Sequence, residues 1–162
     1  MTISFPFDGG FWRVVKRTDP AAVALADRHY SRQTVGAQEF MGPGRTLVML
    51  GDRCVWGVNE NLDGGGAMRW RCTMFRNEGP VLSSTLIREA TARTFEFWRR
   101  RFGGIPERNL TTEINIDLTR KKRDPGRCFL RAGWKRLPNL TTKGLVVLEA
   151  PIEGEHCPGT TP

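Results

Sequence analysis

Apolar and polar positions change period several times along this chain, and each change marks an element. Phe11-Trp12-Arg13-Val14-Val15 alternates like a first strand, and Asp19-Pro20 then offers an N-cap with proline at the first helical position. A short helix is expected from Ala21 to Arg28, leaving His29 and Tyr30 where the chain departs from it. Beyond the glycine-punctuated loop Gly42-Pro43-Gly44, the runs Thr46 to Leu50 and Cys54 to Val58 flank a turn at Gly51-Asp52-Arg53 and predict a β-hairpin. After Asp63-Gly64-Gly65-Gly66, Met68, Trp70, Cys72 and Met74 alternate with Arg69, Arg71 and Thr73. That is the period of a strand, and it makes a three-stranded antiparallel meander.

The second half starts with a turn at Glu78-Gly79-Pro80. Ser83-Ser84 then precede the strongest helical pattern of the sequence, with Leu86, Ile87, Ala90, Thr94, Phe97 and Trp98 at helical spacing and Gly103-Gly104 closing it. A strand from Leu110 to Ile116 ends at Asp117. A short helix from about Gly126 to Ala132 stops at Gly133, and Trp134 to Leu137 and Gly144 to Leu148 complete the sheet. The order implies an α/β (α+β) fold, a mixed, mostly antiparallel twisted sheet of about seven strands with helices packed on both faces. One domain over residues 1–150 is expected, and residues 151–162 read as a loose C-terminal tail.

Composition agrees with a globular chain: 162 residues, 39% of them hydrophobic, with five tryptophans. No apolar run approaches the ~20 residues of a membrane span, and the first ten residues lack a signal-peptide pattern, so no membrane partner and a cytoplasmic location are expected. Cys54, Cys72, Cys128 and Cys157 have no metal-finger spacing and read as reduced thiols, the first two as small core residues. Homodimer and monomer both remain open.

The net charge of +8 is concentrated between Arg88 and Arg136, where fourteen Lys/Arg stand against six Asp/Glu. A field of one sign favours a polyanionic partner, although a merely solvated basic face has the same composition. The run Arg120-Lys121-Lys122-Arg123 follows a strand end and suits phosphate contacts, which Arg69 and Arg71 extend. Arg32 and Arg45 lie nearer the candidate chemistry and suit the backbone flanking a target base.

That chemistry centres on Arg28-His29-Tyr30-Ser31-Arg32, which holds the single tyrosine and one of the two histidines of the chain. Imidazole and phenol are the side chains best suited to moving protons near neutral pH, though such a pair also caps helix ends and anchors loops. Glu113, Asn115 and Asp117 alternate along one expected strand and share a face. Phe40 and Met41, in the loop after the pentapeptide, are candidates for the wedge that unstacks a base, or else simple core plugs.

The order of elements resembles the GNAT-type N-acetyltransferase fold, and Pro125-Gly126-Arg127-Cys128-Phe129-Leu130-Arg131-Ala132-Gly133-Trp134 looks like its penultimate helix. Over roughly residues 20–150, the pentapeptide, Gly42-Pro43-Gly44-Arg45, Arg76-Asn77-Glu78-Gly79-Pro80 with Ser83-Ser84, Asp117 and Pro125-Gly126-x-Cys128-Phe129 resemble the Mom-like DNA-modification proteins of bacteriophages. The resemblance implies transfer of a carbamoylmethyl-type group to the N6 amino group of adenine in double-stranded DNA, an anti-restriction activity inside the host cytoplasm. It implies catalytic roles for His29, Tyr30, Ser84 and Asp117, an unidentified acyl or aminoacyl donor, and iron with His29 and Asp117 as ligands.

Gly79, Ser83 and Ser84 are where a donor's anionic group is expected. GNAT-type enzymes hold coenzyme A pyrophosphate on a turn richer in glycine than Arg76 to Val81, and Pro80 removes one N–H donor outright, so acetyl-coenzyme A fits poorly. The penultimate helix also has no tyrosine, which leaves Tyr30 as the general acid. The rival readings are an acyl-coenzyme A-dependent N-acetyltransferase acting on a small amine or a protein, and a non-catalytic DNA-binding protein on this fold.

Overall fold

The computed structural model describes residues 11–32, 34–119 and 126–151. The chain folds as two compact units, Met1–Val81 and Leu82–Pro162. Among the described residues, seven strands and three helices make a mixed α+β fold, and each strand pairing described below is antiparallel. Their order along the chain is the one read from the hydrophobic pattern. The tail from residue 152 and the basic run 120–123 lie outside the described residues.

In the first unit β1 (Arg13–Val15), β2 (Arg45–Gly51), β3 (Cys54–Leu62) and β4 (Met68–Asn77) pair in sequence order as a meander. Helix α1 (Pro20–Asp27) starts as expected, with Asp19 accepting the N–H groups of Ala21 and Ala22 at 3.0 and 3.1 Å. Its Ala22, Leu25 and Ala26 are buried with Val48, Leu50, Val55 and Met74, so the alternate residues of the strands supply the floor beneath the helix.

Met41 belongs to that same cluster at 5% exposure, and Phe40 packs against it. Both residues therefore plug the core of this unit and are not placed as a wedge. Gly57 makes the fit possible, because a Cβ there would lie 2.9 Å from the Met41 sulfur. The ladder between β3 and β4 shifts register beside that glycine, between Gly57 and Val58.

In the second unit β5 (Thr111–Ile114) pairs with β7 (Val146–Glu149), which pairs with β6 (Lys135–Arg136). Helix α2 (Ser83–Phe102) buries Leu86, Ile87, Ala90, Thr94, Phe97 and Trp98, the stripe read from its spacing. Gly103 ends it in the left-handed conformation, and Arg99, Arg100 and Arg101 sit where a helix C-terminus favours cations.

Helix α3 (Arg127–Arg131) closes in a Schellman turn: Gly133 N–H donates to Leu130 O at 3.1 Å and Trp134 N–H to Phe129 O at 3.0 Å. Gly133 takes φ 92°, and the rings of Phe129 and Trp134 meet edge to face at 5.0 Å. Trp134 also donates from Nε1 to the Thr91 hydroxyl on α2 at 3.2 Å. The Ala-Gly-Trp segment thus ends a helix and sets an aromatic anchor in one step.

The strand expected over 110–116 stops at Ile114. Asn115 ends it, because its Oδ1 accepts the N–H groups of Asp117 and Leu118 at 3.0 and 3.2 Å and turns the chain. Asn115 and Asp117 consequently do not share a strand face with Glu113. Among the described residues, no helix is long and apolar enough to cross a membrane.

Candidate active site

Where α1 ends, the chain makes a tight turn, with His29 N–H donating to Ala26 O at 3.0 Å and Arg32 N–H to His29 O at 3.1 Å. Tyr30 lies over His29, ring centroids 4.4 Å apart and planes 29° apart, and is 39% exposed. At the edge of the imidazole, Nδ1 accepts the Ser31 backbone N–H at 3.1 Å and lies 2.7 Å from Ser31 Oγ. A backbone N–H can only donate, so Nδ1 is an acceptor and the neutral ring carries its proton on Nε2.

Two clamps hold this turn. Arg28 donates to both carboxylate oxygens of Glu78, at 2.7 and 3.0 Å, while Arg76 donates to Glu78 at 2.6 Å and to the Arg28 carbonyl at 2.7 Å. Hydrogen bonds from the two guanidiniums hold the Glu78 carboxyl down at about 2. Beyond the turn, Arg32 donates to Asp27 at 2.8 Å and to the carbonyls of Glu39 and Ala37 at 3.0 and 2.8 Å. The Asp27 carboxyl is held below the usual carboxylate range, chiefly by that Arg32 hydrogen bond.

Arg32, expected beside a target base, has a side chain that is 7% exposed and ties the loop 34–39 to the helix end. Arg45 is half-exposed at the edge of β2, 3.8 Å from the carboxylate of Glu60, which is nearly buried. The phosphate track expected at Arg120, Lys121, Lys122 and Arg123 lies outside the described residues.

In the loop expected to receive a donor's anionic group, two N–H groups are already taken. Glu78 N–H donates to Arg53 O at 2.8 Å, Gly79 N–H donates to Asn77 Oδ1 at 2.9 Å, and Pro80 has none. Gly79 instead serves close approach, since a Cβ there would run into the Asp52 carbonyl oxygen. Leu82 is the N-cap of α2 and makes no side-chain cap bond, so Ser83 and Ser84 lie in the first turn and do not precede it. Ser84 is buried at 4% exposure, and Asp117 is exposed on the turn after β5.

The residues found by sequence thus fall in both units: His29, Tyr30 and Gly79 in the first, Ser83, Ser84 and Asp117 in the second. Among the described residues, no three His, Cys, Asp or Glu stand together as metal ligands. His29 and Asp117, the ligands implied for iron, are each described in their own unit, and no chemical step is routed through a metal. Burial pushes the Cys54 thiol up to about 12, which keeps it protonated in the core.

Glu78, Arg76 and Ser31 acquire roles that the sequence reading had not assigned. Ser31 was within the pentapeptide, two positions from the ring it touches, and its hydroxyl was the available signal. No protein-family model, curated protein or solved structure matches this chain.

Proposed function

We propose that this chain is a Mom-like transferase of GNAT type that modifies the N6 amino group of adenine in DNA through an activated acyl or aminoacyl donor. The observation that carries this reading is the His29-Tyr30 stack at the exposed end of α1, buttressed on both sides by ion-paired arginines. The order of elements and the positive charge gathered between Arg88 and Arg136 add support for the fold and for a polyanionic partner.

Adenine's exocyclic nitrogen is a poor nucleophile because its lone pair is delocalised into the ring, so position and proton removal govern its reaction. In the proposed step the N6–H bond breaks as an N6–C bond forms, and the donor's bond to its leaving group breaks. His29 receives the amine proton, and Tyr30 protonates the leaving group. Ser84 and Asp117 belong to this proposal through the family resemblance, and each is described only in its own unit.

The engaged N–H groups of Glu78 and Gly79, with none on Pro80, speak against a coenzyme A pyrophosphate on that turn. Nucleoside mass spectrometry of DNA from cells expressing the wild type should show a modified adenine that is lost with His29→Ala. An unchanged nucleoside profile with folded wild-type protein overturns the reading. Tight acetyl-coenzyme A binding by calorimetry, with no effect on DNA, would establish the acetyltransferase rival in its place.

A further inference from the structure

The turn after α1 places one hydroxyl directly against the imidazole nitrogen that must accept a proton. Building on the proton-accepting role of His29, we propose that Ser31 is a further catalytic residue, the group through which the ring takes the proton of the substrate amine. Nδ1 has a single lone pair, the Ser31 backbone N–H donates to it at 3.1 Å, and Ser31 Oγ lies 2.7 Å away. With no proton on Nδ1 in the neutral ring, the hydroxyl is the donor of the shorter bond.

This arrangement restricts the routes open to a proton. An amine that approaches Nε2 of the neutral ring meets an N–H and finds no base. An amine that approaches Nδ1 meets Ser31 first, and Ser31 is exposed where His29 is half-buried. The remaining route is a relay: the amine proton passes to Ser31 Oγ while the Ser31 hydroxyl proton passes to Nδ1.

The electron pair of the broken N–H bond stays on the amine nitrogen, which forms the new bond to the donor carbon. The leaving group departs with its own electron pair and takes the Tyr30 proton. Ser31 ends as the hydroxyl it began as, and one proton returned from imidazolium to tyrosinate resets the site. Both ends of the turn are fixed for this, by Arg76 on the Arg28 carbonyl at 2.7 Å and by Arg32 on Asp27 at 2.8 Å.

Ser31→Ala removes the hydroxyl and keeps the backbone N–H, so it separates the relay from the turn. In the full chain, nitrogen-15 NMR of His29 should show the proton on Nε2 in both wild type and Ser31→Ala. Adenine modification should fall by about 10²-fold or more in Ser31→Ala and return to within about tenfold of wild type in Ser31→Thr. Ser31→Ala activity equal to wild type overturns the relay and leaves the transferase reading standing. Equal losses in the alanine and threonine variants overturn it too, since the hydroxyl would then not matter. A proton on Nδ1 overturns it whatever the activity, and wild-type protein that leaves adenine unmodified defeats the transferase reading and the relay with it.

Discussion

Arg28 holds Glu78 through two parallel hydrogen bonds, Nε to Oε2 at 2.7 Å and Nη2 to Oε1 at 3.0 Å, across 50 positions of sequence. The pair joins the last turn of α1 to the loop that follows β4, and Arg76 completes it from β4 itself. Because Arg76 also grips the Arg28 carbonyl, the clamp fixes the backbone immediately before His29.

The clamp gives folding a definite acid limb. The folded Glu78 carboxyl lies at about 2 against an ordinary value of 4.5, so its contribution is complete above about pH 4.5 and is lost as pH falls from there towards 2. Denaturant unfolding followed between pH 6 and pH 2 should show stability dropping through that window, and Glu78→Gln should make the limb shallower. Asp27, shifted in the same direction by Arg32, keeps some of the slope in that variant.

Local patterns were legible in the sequence where one short segment contained the whole cause. Asp19-Pro20, the α2 stripe from Leu86 to Trp98 and Ala132-Gly133-Trp134 each carry their own cap, face or turn, and each stands as read. The missed features depend on partners distant in sequence or on a side chain rerouting its own backbone. Nothing near Arg28 announces Glu78, and nothing in the alternation of Glu113, Asn115 and Asp117 reveals that the Asn115 amide captures two N–H groups and ends the strand. Arg32 illustrates the same limit, because a cation beside a candidate site reads as a ligand contact until its carbonyl partners are seen.

Arg32→Ala should therefore act on folding before it acts on DNA. It removes a nearly buried guanidinium, leaves Asp27 without its closest partner and frees the carbonyls of Ala37 and Glu39. Thermal unfolding should shift down by more than about 5 °C. Arg32→Lys should recover little, since one ammonium cannot span the same three acceptors in a planar fork.

Gly133→Ala probes the turn that seats Trp134. At φ 92° an alanine Cβ is placed against its own backbone, a cost of about 1–2 kcal/mol. The expected result is lower stability with an altered tryptophan fluorescence signal, because the Schellman bonds to Phe129 and Leu130 and the Trp134–Thr91 hydrogen bond depend on this geometry. Gly104→Ala, just beyond the αL cap of α2, is the control: its Cβ would meet no atom within 4 Å, and stability should hardly change.

Tyr30→Phe separates chemistry from structure most cleanly. Tyr30 is 39% exposed, and phenylalanine keeps the ring that stacks on His29 at 4.4 Å, so thermal unfolding should stay within about 2 °C of wild type. What disappears is the phenolic proton. With tyrosine absent from the rest of the chain, no second phenol can replace it. On the proposed mechanism adenine modification should fall by about 10²–10⁴-fold, the usual contribution of a positioned general acid. The loss should be smallest with donors whose leaving groups are already weakly basic, since those depart without protonation. A Tyr30→Phe protein that modifies DNA at the wild-type rate with every donor would remove the general acid from the mechanism and leave its ring as a cover for His29.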